Sequence, residues 1–456
     1  MVSEISMQAI VAAGILAAIF LAVNLVRLKP IAGFIGIGVF SVVAWDVPNL
    51  PAVSNIFGLN LYPADALAIV LLLAAACYGT PRENRAPKAK IALAAIFALA
   101  LLSVVLGIME HGVSAPLNEA RLFLWLSCAC WWSVSLDWGD RRVREAAQRA
   151  VLFIGWTLVA AAVLHGALYG IGSASDSRVL PDGTVTTSRI LVSGQSMVLL
   201  LSAYASVCVL WRTRSTIYGI SATVFLAVSF ISQNRSVWLA GGISILILIL
   251  AVRMPYRLRM LGYAQIAGIA VILISLPGFL RPYYGKIFES LDDSRTYASR
   301  ETGWTQLIDQ QVAMGPLATL LGQPFGSGFR RMDTNGIYVD FTPHNWYVLL
   351  FLRIGILGLL GMAVCLSVTV WRLINARNSA FQLCMLAGLM SYAWTYSIDW
   401  YLAPFVGWVV YTAFSSANSH VKLQDHAIDD QCTRGGTGWT GQSNSNKVQQ
   451  VESCES

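Results

Sequence analysis

The sequence predicts an all-α fold: a polytopic transmembrane bundle of twelve or thirteen helices with one large external loop. Three observations carry that expectation. The 456 residues are 56% hydrophobic and only 12% charged, about half the charged share usual in a soluble domain. The apolar runs have the length that crosses hydrocarbon, about 20 residues of helix. Lys and Arg gather in alternate connectors, as they do on the cytoplasmic side of a membrane.

In chain order the apolar runs fall near 7–26, 31–46, 64–79, 91–109, 120–137, 150–170, 192–211, 217–232, 236–252, 261–280, 345–371, 380–397 and 403–417. The N-terminus has no basic stretch and carries Glu4, so the first run is expected to stay as a helix and not to leave as a signal peptide. Basic clusters at Arg27/Lys29, Arg82 to Lys90, Arg141 to Arg149, Arg212/Arg214, Arg253 to Arg259 and Arg372/Arg377 share one side if the helices alternate. That side is the cytoplasm. Of the opposite connectors, 47–63 and 110–119 have no Lys or Arg, and 171–191 has only Arg178 and Arg189. The longest, 281–343, is therefore external, and a loop of that size points to function. Within it the periodic stretch Thr302 to Leu321 predicts one or two short surface helices with Trp304, Leu307 and Ile308 toward the membrane. Residues 1–418 form the transmembrane domain. Residues 419–456, rich in Gln, Asn, Ser, Asp and Gly, have little to bury and read as a disordered cytoplasmic tail.

Composition also excludes. The net charge of +7 lies in connectors, so it marks topology and not a nucleic-acid face. Eight Cys are scattered, mostly within apolar runs, without Cys-x-x-Cys or a His/Cys cluster, which argues for small core fillers and against a metal site. No internal repeat stands out, which argues against the inverted-repeat transporters.

The stretch Gly322 to Gly361 joins a Gly-rich polar segment to an apolar helix, with His344-Asn345 on the seam. An ionisable His at a helix mouth is either a functional group or a headgroup-level hydrogen bonder. At a helix start it should feel the positive helix end and stay neutral, as a general base must. Ser232 to Ser236 predicts a tight hairpin that puts Arg235 at the next helix N-terminus. There the choice is a phosphate site or an Arg reaching for headgroups. Arg295 and Arg300 lie in the external loop, where arginine holds phosphate bidentately. Gly326-Ser327-Gly328 lacks the strand and Gly-Lys-Ser/Thr of a nucleotide loop, so it reads as a turn. Gly355, Gly358 and Gly361 recur at helical spacing and suggest a flat packing face. Asp65 is placed to cap its helix. It ranks with Glu110, His111, Glu119, Arg121, His165, Arg353 and Asp399 below Arg235, Arg300 and His344.

Three signatures then stand in order: Asn-Arg before an apolar helix, Ser-Arg-x-x-x-Trp opening the external loop, and Gly-x-Gly followed by His-Asn and Leu-Arg-Ile-Gly-Ile-Leu-Gly-Leu-Leu. Over roughly Ser229 to Gly361 the chain resembles the O-antigen ligase and Wzy-type polysaccharide polymerase family. It departs at Ala298-Ser299-Arg300, where Ser-Gly-Arg is commoner, and at Arg353, where an acidic residue is frequent. The resemblance implies a metal-independent glycosyltransferase without cofactor in the bacterial cytoplasmic (inner) membrane, working on its external face. It would take glycan from an undecaprenyl diphosphate-linked oligosaccharide donor to a sugar hydroxyl of a glycan or lipid A core acceptor, with polymerase favoured over ligase. In that role Arg235 and Arg300 would hold the diphosphate and His344 would act as base, with Asn345, Arg295 and Arg121 as secondary candidates. The alternative is a transporter or flippase of lipid-linked oligosaccharide, which would need charges along a transbilayer path.

Overall fold

The computed structural model describes residues 2–43, 54–56, 59–77, 87–170, 177–179, 185–187, 189–251, 295–332, 336–376 and 379–414. Its helices follow the apolar runs. α1 (Val2–Leu28) and α2 (Pro30–Val43) meet at a bend of 111°, where Pro30 lacks the N–H that would carry the helix on. Then come α3 (Pro63–Cys77), α4 (Pro87–His111), α5 (Ser114–Ser135), α6 (Arg141–Tyr169), α7 (Ser193–Thr213), α8 (Thr216–Ile231) and α9 (Arg235–Ala251). The expected run 261–280 lies outside the described residues. After it stand α10 (Arg295–Ala313), α11 (Pro316–Leu321), α12 (Trp346–Asn375), α13 (Ala380–Ala393), a 3-10 turn at Trp400–Leu402 and α14 (Ala403–Phe414). Short antiparallel hairpins sit in the connectors: β1 (Ser54–Ile56) with β2 (Leu59–Leu61), β3 (Ser177–Val179) with β4 (Val185–Thr187), and β5 (Arg330–Met332) with β6 (Tyr338–Asp340).

Four described helices are long and apolar enough to cross a membrane: α4 from Lys90, α6, α7 and α12. The bent α1–α2 pair makes a fifth if it counts as one span. The other apolar helices are only 10–17 residues long. By length and composition four or five of the described helices are full spans, against twelve or thirteen helices expected; others, such as α8 over the run 217–232, follow apolar runs that are themselves short. The bundle is nonetheless apolar on its outside, with Phe20, Leu102, Met109, Phe153, Leu164 and Leu360 exposed. Inside, polar groups such as Gln195, Ser202 and Asn234 are buried. This is the pattern of a membrane protein. Contacts group Met1–Ser415 apart from Ser416–Ser456; the latter lies outside the described residues, and with it the tail expected over 419–456.

α9 packs on α13, α7 on α6 and α8, and α5 between α3 and α14. α2 lies so close to α5 that a Cβ on Gly33 would come within 2.4 Å of the Trp132 ring. α12 is not one straight rod. Gly355 takes φ 63° and ψ −168°, a conformation that L side chains avoid, and splits it into a half-helix Trp346–Ile354 and a longer part. The Leu352 carbonyl freed near the break accepts the Gln323 N–H at 2.7 Å. A Cβ at Gly355 would strike the Leu320 carbonyl at 2.1 Å, whereas one at Gly361 would meet nothing within 4 Å. The three glycines therefore do not form the single packing face expected of them; the first is a break against which α11 docks.

Two further expectations change. Thr302 to Leu321 belongs to α10 and α11, but Trp304 and Leu307 are buried and Ile308 packs beside them on the core. Their ring and aliphatic surfaces face protein and not lipid, with Trp304 edge-on to Tyr297 and Trp394. Gly326 and Gly328 do form a turn, with φ of 96° and 73°, and it closes around a side chain 200 residues away in the chain, as described next.

Candidate functional site

α12 begins with a cap. Asn345, buried, accepts the Tyr347 and Val348 N–H groups at 3.0 and 3.1 Å, which satisfies donors that a helix start leaves open. His344 is therefore held in the loop immediately before a rigid, buried half-helix. Its ring lies 5.5 Å from the Tyr396 ring and 6.0 Å from the Phe341 ring.

Tyr396 is the hub of this end of the protein. It stands in the polar break between α13 and the 3-10 turn, stacked on Tyr392 at 5.5 Å. From α10, Arg300 donates to the Thr395 carbonyl and the Tyr396 hydroxyl, both at 3.2 Å, and its guanidinium lies 4.8 Å from the ring centre. Arg331 on β5 donates to the Phe329 and Phe341 carbonyls at 3.0 and 2.8 Å and stacks on Phe341 at 4.3 Å. Gly303 on α10 admits it, since a Cβ there would come within 2.9 Å of the Arg331 Nε. Arg189, just ahead of α7, donates to the Asn234 side chain at 3.0 Å. Asn234 in turn donates to the Leu191 carbonyl and to the hydroxyls of Ser196 and Ser232.

Each of the three arginines is hydrogen-bonded only to neutral acceptors. Among the described residues no carboxylate comes within 4.0 Å of Arg189, Arg300 or Arg331. Asp340 is near enough to Arg331 to be felt, yet its carboxylate accepts the Phe329 N–H. The surplus of positive charge shows in the titrating groups. Burial, then Arg300 and Arg331, push His344 down to about 4, so the imidazole is neutral at pH 7. The sequence argument expected neutrality from the helix end; here burial and two guanidiniums account for it. Burial would raise Tyr396, but Arg300 and Arg189 outweigh it and bring the phenol down to about 8. Below the hub, burial raises Asp399 to about 6 against the hydrogen bond from Tyr401. A Cβ on Gly194, at the start of α7, would overlap both Asp399 and Tyr401.

Of the sequence candidates, Arg300 and His344 meet at Tyr396. Arg235 is the first residue of α9, half-buried, and directly follows Asn234. Asn345 serves as the cap, with its carbonyl oxygen used twice. Arg295 opens α10, and its side chain lies outside the described residues. Arg121 stands apart: it donates to the Asn60 carbonyl, lies 3.4 Å from the Asp65 carboxylate and stacks on Tyr62 at 4.6 Å. Asp65 itself accepts the Tyr62 N–H at 2.8 Å, as its place in the sequence predicts for a cap.

Arg353 is resolved in the same way. Its Nε donates to Glu119 on α5, its Nη1 to the Ser327 hydroxyl at 2.9 Å and its Nη2 to the Gly328 carbonyl at 2.6 Å. The second Glu119 oxygen accepts the Gly326 and Gly328 N–H groups at 3.0 and 3.2 Å. The Gly-Ser-Gly turn thus closes a buried ion pair, and the reversed charge at position 353 meets its own carboxylate.

Sequence reasoning missed Arg189, Arg331 and Tyr396. The signal for Arg189 was present, since 171–191 carries only two basic residues on the side otherwise poor in them. For Tyr396 it was the cluster of polar and aromatic residues Trp394 to Tyr401 that closes the run 380–397. Arg331 had no local signal. Comparison with models of known protein families finds no match, and comparison with curated proteins finds none.

Proposed function

We propose that this chain is a membrane glycosyltransferase of surface-polysaccharide synthesis. It moves glycan from an undecaprenyl diphosphate-linked donor to a sugar hydroxyl at the external face of the cytoplasmic membrane. The observation that carries the reading is a neutral His344 beside Arg300 and Arg331, for which no carboxylate lies within 4.0 Å among the described residues. A diphosphate supplies the missing negative charge, and guanidiniums hold it in a fork that ammonium groups do not offer. Part of the reading is topological: the shorter apolar helices also lie at membrane depth, and 281–343 is external.

In this mechanism Arg300, with Arg331 and Arg189 around it, binds the donor diphosphate and stabilises the charge that grows on it. The acceptor oxygen attacks the anomeric carbon, a new C–O bond forms, and the bond to the diphosphate oxygen breaks with its electron pair. The acceptor proton passes to the His344 imidazole. A single displacement needs no enzyme nucleophile and inverts the anomeric centre. A diphosphate held between the arginines also cancels the charge that depresses His344, so donor binding makes the base stronger when it is needed. Polymerase is favoured slightly over ligase, as in the sequence reading; the motif set is shared and the large loop is compatible with both.

The test is product analysis in a deletion strain complemented with wild type, Arg235→Ala, Arg300→Ala or His344→Ala. It resolves free polymer, lipid A-linked chains and single repeats on the carrier. Single repeats accumulate if the enzyme is a polymerase; long carrier-linked chains accumulate if it is a ligase. His344→Ala is expected to slow transfer about 10²–10⁴-fold at normal protein abundance. Wild-type products from all three variants would overturn the enzyme reading in favour of a transporter.

A further inference from the structure

At the end of α7 remote from Tyr396, the bundle holds a second feature that the transferase reading does not use. A narrow cavity of about 100 Å³, open at its mouth, lies between α2, α6, α7 and α14. Along α7 it is lined from Val198 to Arg212, about 21 Å of helix at 1.5 Å per residue. Its walls are almost wholly apolar, with Ile37, Ile154 and Phe405 among them. Its two cations, Arg144 and Arg212, line it together with the aromatic rings of Trp138, Trp408 and Tyr218. Arginines among Trp and Tyr mark the headgroup level of a membrane.

The charge there is available. Arg144 donates to the Gly139 and Trp138 carbonyls at 2.7 and 3.4 Å. The nearby carboxylates are engaged elsewhere: Glu145 lies 2.6 and 3.6 Å from Arg141 and Arg149, and Asp137 accepts the Tyr411 hydroxyl and the Gly139 N–H. Arg212 is exposed, and among the described residues no carboxylate lies within 4.0 Å of it.

Two hydroxyls on the α7 wall point to the ligand. Ser202 and Ser206 are each 1% exposed, line the cavity, and have no hydrogen-bond partner among the described residues. Buried polar groups without partners are few in native structures, and each calls for a missing one. Ser206 lies about 9 Å below Arg212 along the helix, and Ser202 about one turn deeper. The missing partner is thus an acceptor placed beneath a phosphate and within hydrocarbon. The ester carbonyls of a glycerophospholipid stand in that position; a polyprenyl phosphate has only isoprenoid carbon there.

We propose that this cavity binds one anionic diacyl phospholipid. Its phosphate lies at Arg144 and Arg212, an ester carbonyl accepts from Ser206, and an acyl chain runs along α7 toward Tyr401. The bound lipid fills the space between α2, α6 and α7 and completes the packing beneath the Tyr396 hub. This proposal is independent of the transferase reading.

The experiment is native mass spectrometry of the full chain, delipidated and reconstituted with equimolar phosphatidylglycerol, phosphatidylcholine and undecaprenyl phosphate. One phosphatidylglycerol per chain is the expected result. Arg144→Ala with Arg212→Ala is expected to reduce its retention about tenfold or more, and Ala205→Trp, which fills the cavity, to abolish it. Ser206→Ala should remove the preference for ester-linked over ether-linked phosphatidylglycerol. The Arg144→Lys/Arg212→Lys pair keeps the charge and should keep the preference over phosphatidylcholine, which separates charge from folding. Equal retention of phosphatidylglycerol and phosphatidylcholine by the wild type would overturn the proposal. So would undecaprenyl phosphate held in place of phosphatidylglycerol, or undiminished binding by the double alanine variant.

Discussion

Two arginine sites at neighbouring levels of the bundle handle the same charge in opposite ways. Arg353, on the half-helix that follows His344, is buried and paired with Glu119, and the Gly-Ser-Gly turn completes its hydrogen bonds. Arg300 and Arg331 spend their hydrogen bonds on carbonyls and a phenol, with no carboxylate within 4.0 Å among the described residues. A guanidinium matched by a carboxylate inside a protein holds structure together. One matched only by neutral acceptors keeps its field, and that field reaches His344 and Tyr396. The contrast teaches that burial alone does not mark the functional arginine; the nature of its acceptors does.

Breaking the closed site should have the largest effect. Glu119→Ala leaves a buried guanidinium without its anion, and the expected loss is about 3–5 kcal/mol of stability, read as thermal unfolding in detergent. Glu119→Ala with Arg353→Met removes both charges and should recover most of that loss. A double variant as unstable as the single one would show that the pair is not the cause.

Opening the other site should leave folding alone and cost chemistry. Arg300→Ala is expected to slow transfer about 10²–10³-fold with an unchanged melting profile, and Arg300→Lys to recover only part of it. A melting profile that falls as far as that of Glu119→Ala would erase the distinction between the two sites.

The comparison sharpens further through pH. The base must be neutral, so activity is lost as pH falls through the His344 value, about 4 in the free protein. Removing a neighbouring cation raises that value. The acid limb of kcat/KM should therefore move toward neutral pH in Arg331→Gln, while Arg121→Gln, whose charge is met by Asp65, leaves it in place. The smallest effect is expected at the cap. Asn345→Ala should cost about 1 kcal/mol, and Asn345→Asp, which can still accept from the helix N–H groups, should restore it.

Every apolar run among the described residues coincides with a helix, because apolar length is a local property that the chain states in place. His344 was legible because it stands beside a helix start, and Arg300 because it is an arginine in the long polar connector, although it lies within α10 and not ahead of it. The Glu119–Arg353 pair was not legible: its members are 234 residues apart, and neither residue type announces the other. The break at Gly355 was misread as a packing face because glycine at helical spacing carries both meanings, and only the approach of the Leu320 carbonyl decides between them. Hydropathy reports that a helix is apolar but not whether it is long enough for a full span, and several of the described apolar helices are only 10–17 residues long.

The segment between α11 and β5 has a mechanical meaning. Gln323 bonds the Leu352 carbonyl at one end, while Ser327 and Gly328 bond Arg353 at the other. Both ties go to the same half-helix that presents His344. The segment and the base therefore move as one piece, like a jaw and its anvil cast together. A substitution along 324–329, where Phe325 and Phe329 are buried and the Gly-Ser-Gly turn holds Arg353, would therefore be felt at the base.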